Sequence, residues 1–191
     1  MSAPVLHLLA GPNGAGKSTF VARVLEPVTH LRFVNADEIA AERWPGEEIA
    51  HAYQDSRAAA EERRRLLARG ESFITETVFS HHSKVALVTQ AVSLGYLVNL
   101  HVILVPADLA VRRVAERVRR GGHEVPEDKI RERYARLLKL VVDARALADR
   151  STFYDNSTAK HPFRVVASYE RGRLVGTPSW PAWTPTVLTR A

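Results

Sequence analysis

The chain contains no cysteine, and it has no long hydrophobic run. The first absence excludes disulfides, thiol nucleophiles and metal sites that are built on cysteine. Early in the chain, only residues 5–11 (VLHLLAG) are strongly apolar. This run is too short for a membrane span or a signal peptide, and no basic leader precedes it. We therefore expect a cytoplasmic protein without a membrane partner.

The composition is that of an ordinary globular protein, with 46% hydrophobic and 25% charged residues in a chain of 191. A chain of this length has room for one well-buried domain but little room for two. Its formal net charge of +6 favours an anionic partner, either a nucleotide or a nucleic acid. A solvated basic surface would give the same charge balance.

Short apolar runs alternate with longer helical patterns, which is typical of parallel strands joined by helices. Strands are predicted at residues 5–11, 31–37, 72–77, 97–105 and 163–170. Helices are predicted from Gly16 or Lys17, from about Glu47 to Arg69, from about His82 to Leu94, and after Pro106 and Pro126. We expect an α/β fold with a parallel five-stranded sheet flanked by helices, as one domain over residues 1–175. The Pro-rich and Trp-containing tail at 176–191 is either a docked extended arm or a loose end.

Residues 11–20 (GPNGAGKSTF) contain the spacing G-x-x-x-x-G-K-[ST]. Glycines let backbone N–H groups turn towards phosphates, the lysine reaches the β and γ phosphates, and the serine hydroxyl binds Mg²⁺. The strand before the loop and the helix after it place a helix N-terminus at the anion, which disfavours a chance glycine-rich turn. The sequence therefore predicts a P-loop that binds ATP or GTP with Mg²⁺. The predicted nucleotide-binding residues are Gly11, Pro12, Asn13, Gly14, Ala15, Gly16, Lys17, Ser18 and Thr19, with Ser18 as the Mg²⁺ ligand.

Two common classes of P-loop protein have no support in the sequence. No segment matches the LSGGQ signature of transporter ATPases or the NKxD sequence with which signalling GTPases recognise the base. Instead, the second predicted strand ends in Asn35 and Asp37 at its carboxyl end. Ligands bind at this edge of a parallel sheet, where a carboxylate can accept the proton of a hydroxyl that attacks the γ-phosphorus. We predict Asn35 and Asp37 as substrate contacts and Asp37 as the general base; a helix N-cap at Asp37 is the alternative.

The third predicted strand ends in the same way, with Glu76, Thr77 and Ser80 after its apolar residues. A carboxylate beside a P-loop can hold a Mg²⁺-bound water, and hydroxyl groups can bind a polar substrate. We predict these three residues as substrate contacts, with Glu76 as a second candidate for the metal. Turn and capping chemistry is the alternative for the two hydroxyl groups.

Residues 112–136 carry two basic stripes on either side of Gly121 and Gly122. At about 100° per residue, Arg113, Arg117 and Arg120 share one helix face, and Lys129, Arg133 and Arg136 share another. Such a helical lid can bring guanidinium groups to the oxygens that gain charge in phosphoryl transfer. The alternatives are a soluble surface paired with nearby glutamates and a site for a polynucleotide backbone. Tyr134 is the segment's one aromatic residue, which disfavours binding of single-stranded nucleic acid.

Two further segments are ambiguous. Asn156 precedes the last predicted strand, where it either contacts the nucleotide base or forms an ordinary turn. The long helix from Glu47 to Arg69 carries mostly charges at ion-pair spacing, so we interpret it as a solvated cover with little function.

Five segments together resemble the zeta-toxin-like P-loop kinases, and the similarity is closest to the short bacterial members often described as predicted ATPases. These segments are GPNGAGKST, NADEIA, ITETVFS, RVAERVRRGGHEVP and YDNS, in that order, and the likeness spans about residues 5–170. The resemblance implies a kinase-type P-loop fold in which Lys17 and Ser18 act on phosphates and Mg²⁺. It also implies that Asp37 is the general base and that lid arginines stabilise the transferring group, and we predict Arg117, Arg120 and Arg133 for that role.

The best-known members of that family phosphorylate the sugar hydroxyl of UDP-N-acetylglucosamine and are held in check by a small antitoxin. The resemblance therefore implies a sugar nucleotide as acceptor and an antitoxin protein as partner. The chain departs from the short members after the third strand. Where they have Glu-Thr-Thr and later Ser-Gly, Val78 follows Thr77 and His81 follows Ser80 in this chain.

We expect an ATP-dependent kinase that transfers the γ-phosphoryl group to a hydroxyl of a small molecule. Two alternatives stay open at this point. One is a polynucleotide kinase or a kinase for another small molecule. The other is a nucleotide-dependent switch that hydrolyses ATP slowly.

Overall fold

The computed structural model describes residues 2–43, 48–122 and 125–190, except for the side chains of residues 37, 41, 42 and 48–53. Within this part of the chain, seven strands form one sheet in the order β2-β3-β1-β4-β5-β6-β7. The strands are β1 (Val5–Ala10), β2 (Arg32–Val34), β3 (Phe73–Thr77), β4 (Leu97–Leu104), β5 (Arg150–Asp155), β6 (Arg164–Glu170) and β7 (Arg173–Val175).

After β1 and a short loop comes a continuous helical segment that contains a π-helical turn. It consists of α1 (Lys17–Phe20), the π turn (Val21–Leu25) and α2 (Glu26–Thr29). The other described helices are α3 (Ala36–Arg43), α4 (Glu48–Arg69), α5 (Ser83–Ser93), α6 (Ala107–Arg119), α7 (Glu127–Leu147) and α8 (Thr186–Thr189). None of the described helices is long and apolar enough to cross a membrane.

The predicted α/β fold is confirmed, but the predicted sheet of five strands was wrong in number and in direction. Strands β1 to β5 are parallel, whereas β6, which was predicted as a parallel strand, runs antiparallel to β5. Strand β5 was missed because two of its three buried residues, Ser151 and Asp155, are polar and hide the apolar alternation. Strand β7 is an exposed three-residue edge that follows a two-residue turn with positive φ at Arg171 and Gly172.

Apolar residues are buried on both faces of the sheet, as is usual for parallel strands. Leu6 and Leu8 of β1 lie in the cluster that α5 and α7 cover, and Leu9 lies in the cluster that contains Phe20 of α1. Because β1 is in the centre of the parallel sheet, the loop at its carboxyl end is held from both sides.

The C-terminal segment packs on the core as a docked arm. The N–H of Ser179 donates to the carbonyl of Val166 at 2.7 Å. The ring of Trp180 meets that of Phe153 edge to face, with centroids 5.4 Å apart. Leu188 of α8 is fully buried. These contacts join the tail to the same core as the sheet.

Candidate active site

The loop between β1 and α1 takes the conformation that a P-loop needs because of its glycines. A Cβ atom at Gly11 would lie 2.5 Å from the carbonyl oxygen of Ile103 in β4, so only glycine fits at this position. Gly14 and Gly16 have φ values of +74° and +92°, which side chains strongly disfavour. The loop therefore turns tightly between the sheet and α1.

Lys17 is held across this loop. Its side chain is largely buried, with a residue exposure of 8%. The ammonium group donates to the carbonyl of Pro12 at 3.2 Å, and the N–H of Ala15 donates to the same carbonyl at 3.2 Å. In P-loops, a lysine at this position contacts the phosphates of the nucleotide.

Ser18 and Glu76 form the pair that suits Mg²⁺. The Ser18 hydroxyl donates to Oε2 of Glu76 at 2.8 Å, and both residues line the same cleft. Magnesium takes oxygen ligands, usually one or two carboxylates together with substrate phosphates and water. No group of three or more His, Cys, Asp or Glu side chains in the described residues is arranged to hold a metal. A magnesium ion at this pair would therefore complete its shell with phosphate oxygens and water.

One cleft of about 610 Å³ brings the P-loop, the ends of β2 and β3, α4 and the lid helices together. Among the predicted site residues, its lining contains Asn13, Gly14, Gly16, Lys17, Ser18, Thr19, Asn35, Glu76, Thr77, Arg117 and Arg133. The predicted residues Gly11, Pro12, Ala15, Ser80, Arg120 and Asn156 are outside this lining. Gly11, Pro12 and Ala15 are buried within the loop itself.

Asp37 lies in the first turn of α3, directly after two residues that line the cleft, Asn35 and Ala36. The N–H of Ile39 donates to the carbonyl of Asn35 at 3.1 Å, which starts the helix at that point. The backbone of Asp37 is therefore already helical, so it is not the N-cap residue. Its side chain lies outside the described part of the structure, and its role as the general base stays a prediction.

The two hydroxyl residues after β3 have different surroundings. Thr77 lines the cleft, and its hydroxyl also accepts a hydrogen bond of 3.1 Å from the N–H of Phe79. Phe79 is fully buried although its φ is +61°. The Thr77 hydroxyl thus supports a strained turn, in line with the turn chemistry considered as its alternative. Ser80 does not line the cleft.

Two of the three predicted lid arginines reach the cleft. Arg117 of α6 and Arg133 of α7 both line it. Arg120 does not, because its side chain is 77% exposed and pairs with Glu116 at 2.9 Å. Gly121 and Gly122, which separate the two basic stripes, follow the end of α6, and the N–H of Gly122 donates to the carbonyl of Arg117 at 2.9 Å.

Arg113 contacts the P-loop directly, although only its helix face was recognised in the sequence. Its guanidinium group donates to the carbonyls of Asn156 at 3.0 Å and Gly14 at 3.4 Å. Partial burial lowers the pKa of this guanidinium from its usual value. Helical spacing placed Arg113 beside Arg117, but it could not show that α6 packs on the P-loop.

Asn156 braces the P-loop. Its side-chain amide donates to the carbonyl of Ala15 at 2.8 Å, and its backbone N–H donates to the carbonyl of Leu104 at 2.9 Å. A Cβ atom at Gly16 would lie 2.7 Å from the same amide nitrogen. The amide is therefore directed at the loop backbone, in contrast to the base contact considered from sequence.

Helix α4 is more than the solvated cover that was predicted. Ser56, Ala59 and Arg63 on this helix line the cleft, and Arg63 is only 8% exposed. In the sequence, Arg63 lies within the charged run 61–65, so it was interpreted as part of a solvated face. The other two arginines of this run do form ion pairs, with Glu61 and Glu62. Only the helical spacing to the buried Ala59 and Leu67 marks Arg63 as an inward position.

The strand order and the P-loop define a protein with a P-loop kinase-like fold. The family model AAA_33, described as an AAA domain, matches residues 6–140, which is more than half of the chain. The chain therefore belongs to this family. No curated protein matches it significantly in sequence.

Several solved structures share the fold. The AvrRxo1-ORF1:AvrRxo1-ORF2 complex with sulphate ions has a TM-score of 0.69 at 15% identity, over 90% of this chain and 60% of that one. The PezAT toxin–antitoxin system of Streptococcus pneumoniae has a TM-score of 0.57 at 15% identity, with coverages of 81% and 69%. Shikimate kinase from Acinetobacter baumannii, in complex with shikimate, has a TM-score of 0.51 at 20% identity, with coverages of 84% and 87%. The chain thus spans 60% of the length of the AvrRxo1 chain, and identities this low show the fold alone.

Proposed function

We propose that the protein is an ATP-dependent kinase that transfers the γ-phosphoryl group to a hydroxyl of a small molecule. The observation that carries this proposal is that the cleft extends beyond the P-loop to the carboxyl ends of β2 and β3, where Asn35, Glu76 and Thr77 line it. An enzyme that only hydrolyses ATP needs space for a water molecule there. A cleft of about 610 Å³ has room for nucleotide phosphates and a second substrate.

In this proposal each group has a distinct task. Lys17 binds the β and γ phosphates, and Ser18 with Glu76 holds Mg²⁺, which neutralises charge on the phosphate oxygens. Asp37 accepts the proton of the acceptor hydroxyl as its oxygen bonds to the γ-phosphorus and the bond to ADP breaks. Arg117 and Arg133 stabilise the charge that develops on the transferring group.

The first acceptor to test is UDP-N-acetylglucosamine. Its support is the sequence resemblance to zeta-toxin-like kinases, together with the shared fold of a toxin–antitoxin protein. The same two observations support an antitoxin protein as partner. Of the two departures, Val78 lines the cleft, so another small hydroxyl compound is the second acceptor class to test.

The decisive assay follows the label of γ-labelled ATP in the presence of Mg²⁺. UDP-N-acetylglucosamine is supplied alone, and then a bacterial metabolite extract is supplied, with Lys17→Ala as the inactive control. Label in the sugar nucleotide supports the toxin-type reaction, and label in another metabolite supports a kinase with a different acceptor. Label only in free phosphate contradicts the proposed kinase.

A further inference from the structure

Two further cationic side chains line the cleft, one on α4 and one on α5. Arg63 of α4 donates a long hydrogen bond of 3.5 Å to Oγ1 of Thr75 in β3, and Lys84 is at the start of α5, which follows β3. In the sheet, β2 and β3 flank β1 on one side, and β4 and β5 flank it on the other. Arg113, which contacts Asn156 after β5, marks the opposite flank. Arg63 and Lys84 thus lie where the acceptor would bind.

Among the described residues, these two cations lack the carboxylate partners that their neighbours have. Arg64 and Arg65 pair with Glu61 and Glu62 at the exposed face of α4. Arg63 is buried, and its hydrogen-bond partner among the described residues is a neutral hydroxyl. Within the same part of the chain, Lys84 has no ion pair. A desolvated cation without a counter-charge is costly unless an anion joins it.

The charges of the side chains that line the cleft also favour the binding of an anion. The described lining contains a single carboxylate, Glu76, which is already bonded to Ser18. Its cations are Lys17, Arg63, Lys84, Arg113, Arg117 and Arg133. Asp55 shares the inward face of α4, but it is two turns from Arg63, or about 12 Å along the helix. The triphosphate accounts for the cations at the P-loop and the lid. On the acceptor side, the two cations Arg63 and Lys84 outnumber the one carboxylate that we propose there, Asp37.

The electrostatic state of the pair is consistent with a site for an anion. Burial lowers the pKa of the Arg63 guanidinium from its usual value. Burial, and then the positive charge of Arg63, lower the pKa of the Lys84 ammonium. A bound anion would offset both effects by stabilising the charged forms.

We propose that the acceptor carries an anionic group, a carboxylate or a phosphate, which Arg63 and Lys84 bind while its hydroxyl faces the P-loop. A guanidinium with an adjacent ammonium suits either anion, because both present oxygen atoms that accept charge-assisted hydrogen bonds. The inference rests on the proposed kinase function and narrows its substrate class to anionic hydroxyl compounds.

The first experiment tests the anion site without any turnover. The protein is loaded with a non-hydrolysable ATP analogue and Mg²⁺, which fills the P-loop, and is then titrated with inorganic phosphate or, separately, with glycolate. Lys84→Gln is expected to weaken binding of the preferred anion about tenfold or more. Lys84→Arg keeps the charge and should retain binding, and Lys139→Gln at an exposed position of α7 should not change it. Binding of neither anion, or equal binding in Lys84→Gln, would overturn the inference.

The second experiment separates this inference from the kinase proposal. A metabolite extract is passed over a strong anion exchanger, and the retained and unretained fractions are each supplied as acceptors with γ-labelled ATP. Transfer to a compound in the retained fraction, with a raised KM for it in Lys84→Gln and an unchanged KM for ATP, supports an anionic acceptor. Transfer only to the unretained fraction contradicts the inference and leaves the kinase intact. Transfer to neither contradicts the kinase, and the phosphate and glycolate titrations then still decide whether the anion site exists.

Discussion

The hydroxyl of Ser18 donates a hydrogen bond of 2.8 Å to Oε2 of Glu76, although 58 positions separate the two residues in the chain. The sheet explains this contact. Strands β1 and β3 pair in parallel with Leu9 opposite Glu76, so the residues at their carboxyl ends meet at one edge. The hydrogen bond from Ser18 to Glu76 therefore connects the loop after β1 to the carboxyl end of β3. We propose this pair as the magnesium site.

Replacing Glu76 by Gln should weaken Mg²⁺ binding while the fold is kept. The amide retains the size of the side chain but loses the charge that a divalent cation requires, and losses of about 10- to 100-fold in metal affinity or activity are typical of such changes. The Mg²⁺ dependence of phosphoryl transfer measures the effect. Glu61→Gln, at an exposed ion pair of α4, is the control. An unchanged Mg²⁺ dependence in Glu76→Gln would remove Glu76 from the metal site.

Asn156→Ala should destabilise the P-loop conformation and weaken the binding of ATP and of inorganic tripolyphosphate alike. The variant leaves the carbonyl of Ala15 without its side-chain donor, which costs about 1–3 kcal/mol for a buried group. Titration with inorganic tripolyphosphate, which has no base, distinguishes this role from a base contact. A loss for ATP but not for tripolyphosphate would show that Asn156 recognises the base.

Substitutions of the three predicted lid arginines should have two different effects on kcat. Arg117→Ala and Arg133→Ala are expected to lower kcat about 100-fold or more, because these residues line the cleft where transition-state charge develops. Arg120→Ala should stay within about twofold, since an exposed pair with Glu116 contributes little. Steady-state kinetics with saturating ATP compare the three variants. A large loss in Arg120→Ala alone would require the lid to move Arg120 into the site.

A partly buried histidine pair should make stability depend on pH. Nδ1 of His7 lies 3.0 Å from Nε2 of His101, and Nδ1 of His101 lies 3.2 Å from the hydroxyl of Tyr154. Burial, and then the charge of His7, lower the pKa of His101 to about 3, and burial also lowers the pKa of His7. His101 thus stays neutral in the folded state at pH values where the unfolded chain, with a pKa of about 6.5, takes up a proton.

The unfolded state binds more protons between these two pKa values, so the free energy of unfolding should fall as the pH drops below about 6.5. His101 alone accounts for about 2 kcal/mol between pH 7.5 and pH 5, at about 1.36 kcal/mol per unit. Urea unfolding at the two pH values measures the change. His101→Gln should reduce it, and His161→Gln, at an exposed loop position, should leave it as in the wild type. An equal change in wild type and His101→Gln would contradict the account.

Local patterns predicted much of this molecule because they act within a few residues. The spacing from Gly11 to Ser18 fixes a P-loop by itself, and parallel pairing brings the end of β3 to it, so Glu76 could be placed beside Ser18 from the sequence. The tertiary contacts of longer range could not be derived in this way. Arg113 and Asn156 meet only because α6 packs on the loop after β5, and this packing leaves no periodic signal in the sequence.

Buried polar residues explain why the sequence did not predict strand β5 and the position of Arg63. Strand β5 buries Ser151 and Asp155 beside Phe153, so its pattern does not alternate between apolar and polar residues. Arg63 stands within five consecutive charged residues, and a run of that kind is normally solvated. Burial of a charged group is favoured only where a ligand or partner compensates it, and a single sequence does not record such a ligand.

The most direct test of the central claim compares Asp37→Asn with the wild type for both phosphoryl transfer and ATP binding. A general base acts on the acceptor hydroxyl and not on the nucleotide. The account therefore predicts that transfer of the γ-label to the acceptor falls by about 100-fold or more, while ATP affinity changes by less than about threefold. Equal release of free phosphate by both proteins, with no labelled acceptor, would contradict it and leave a nucleotide-hydrolysing switch.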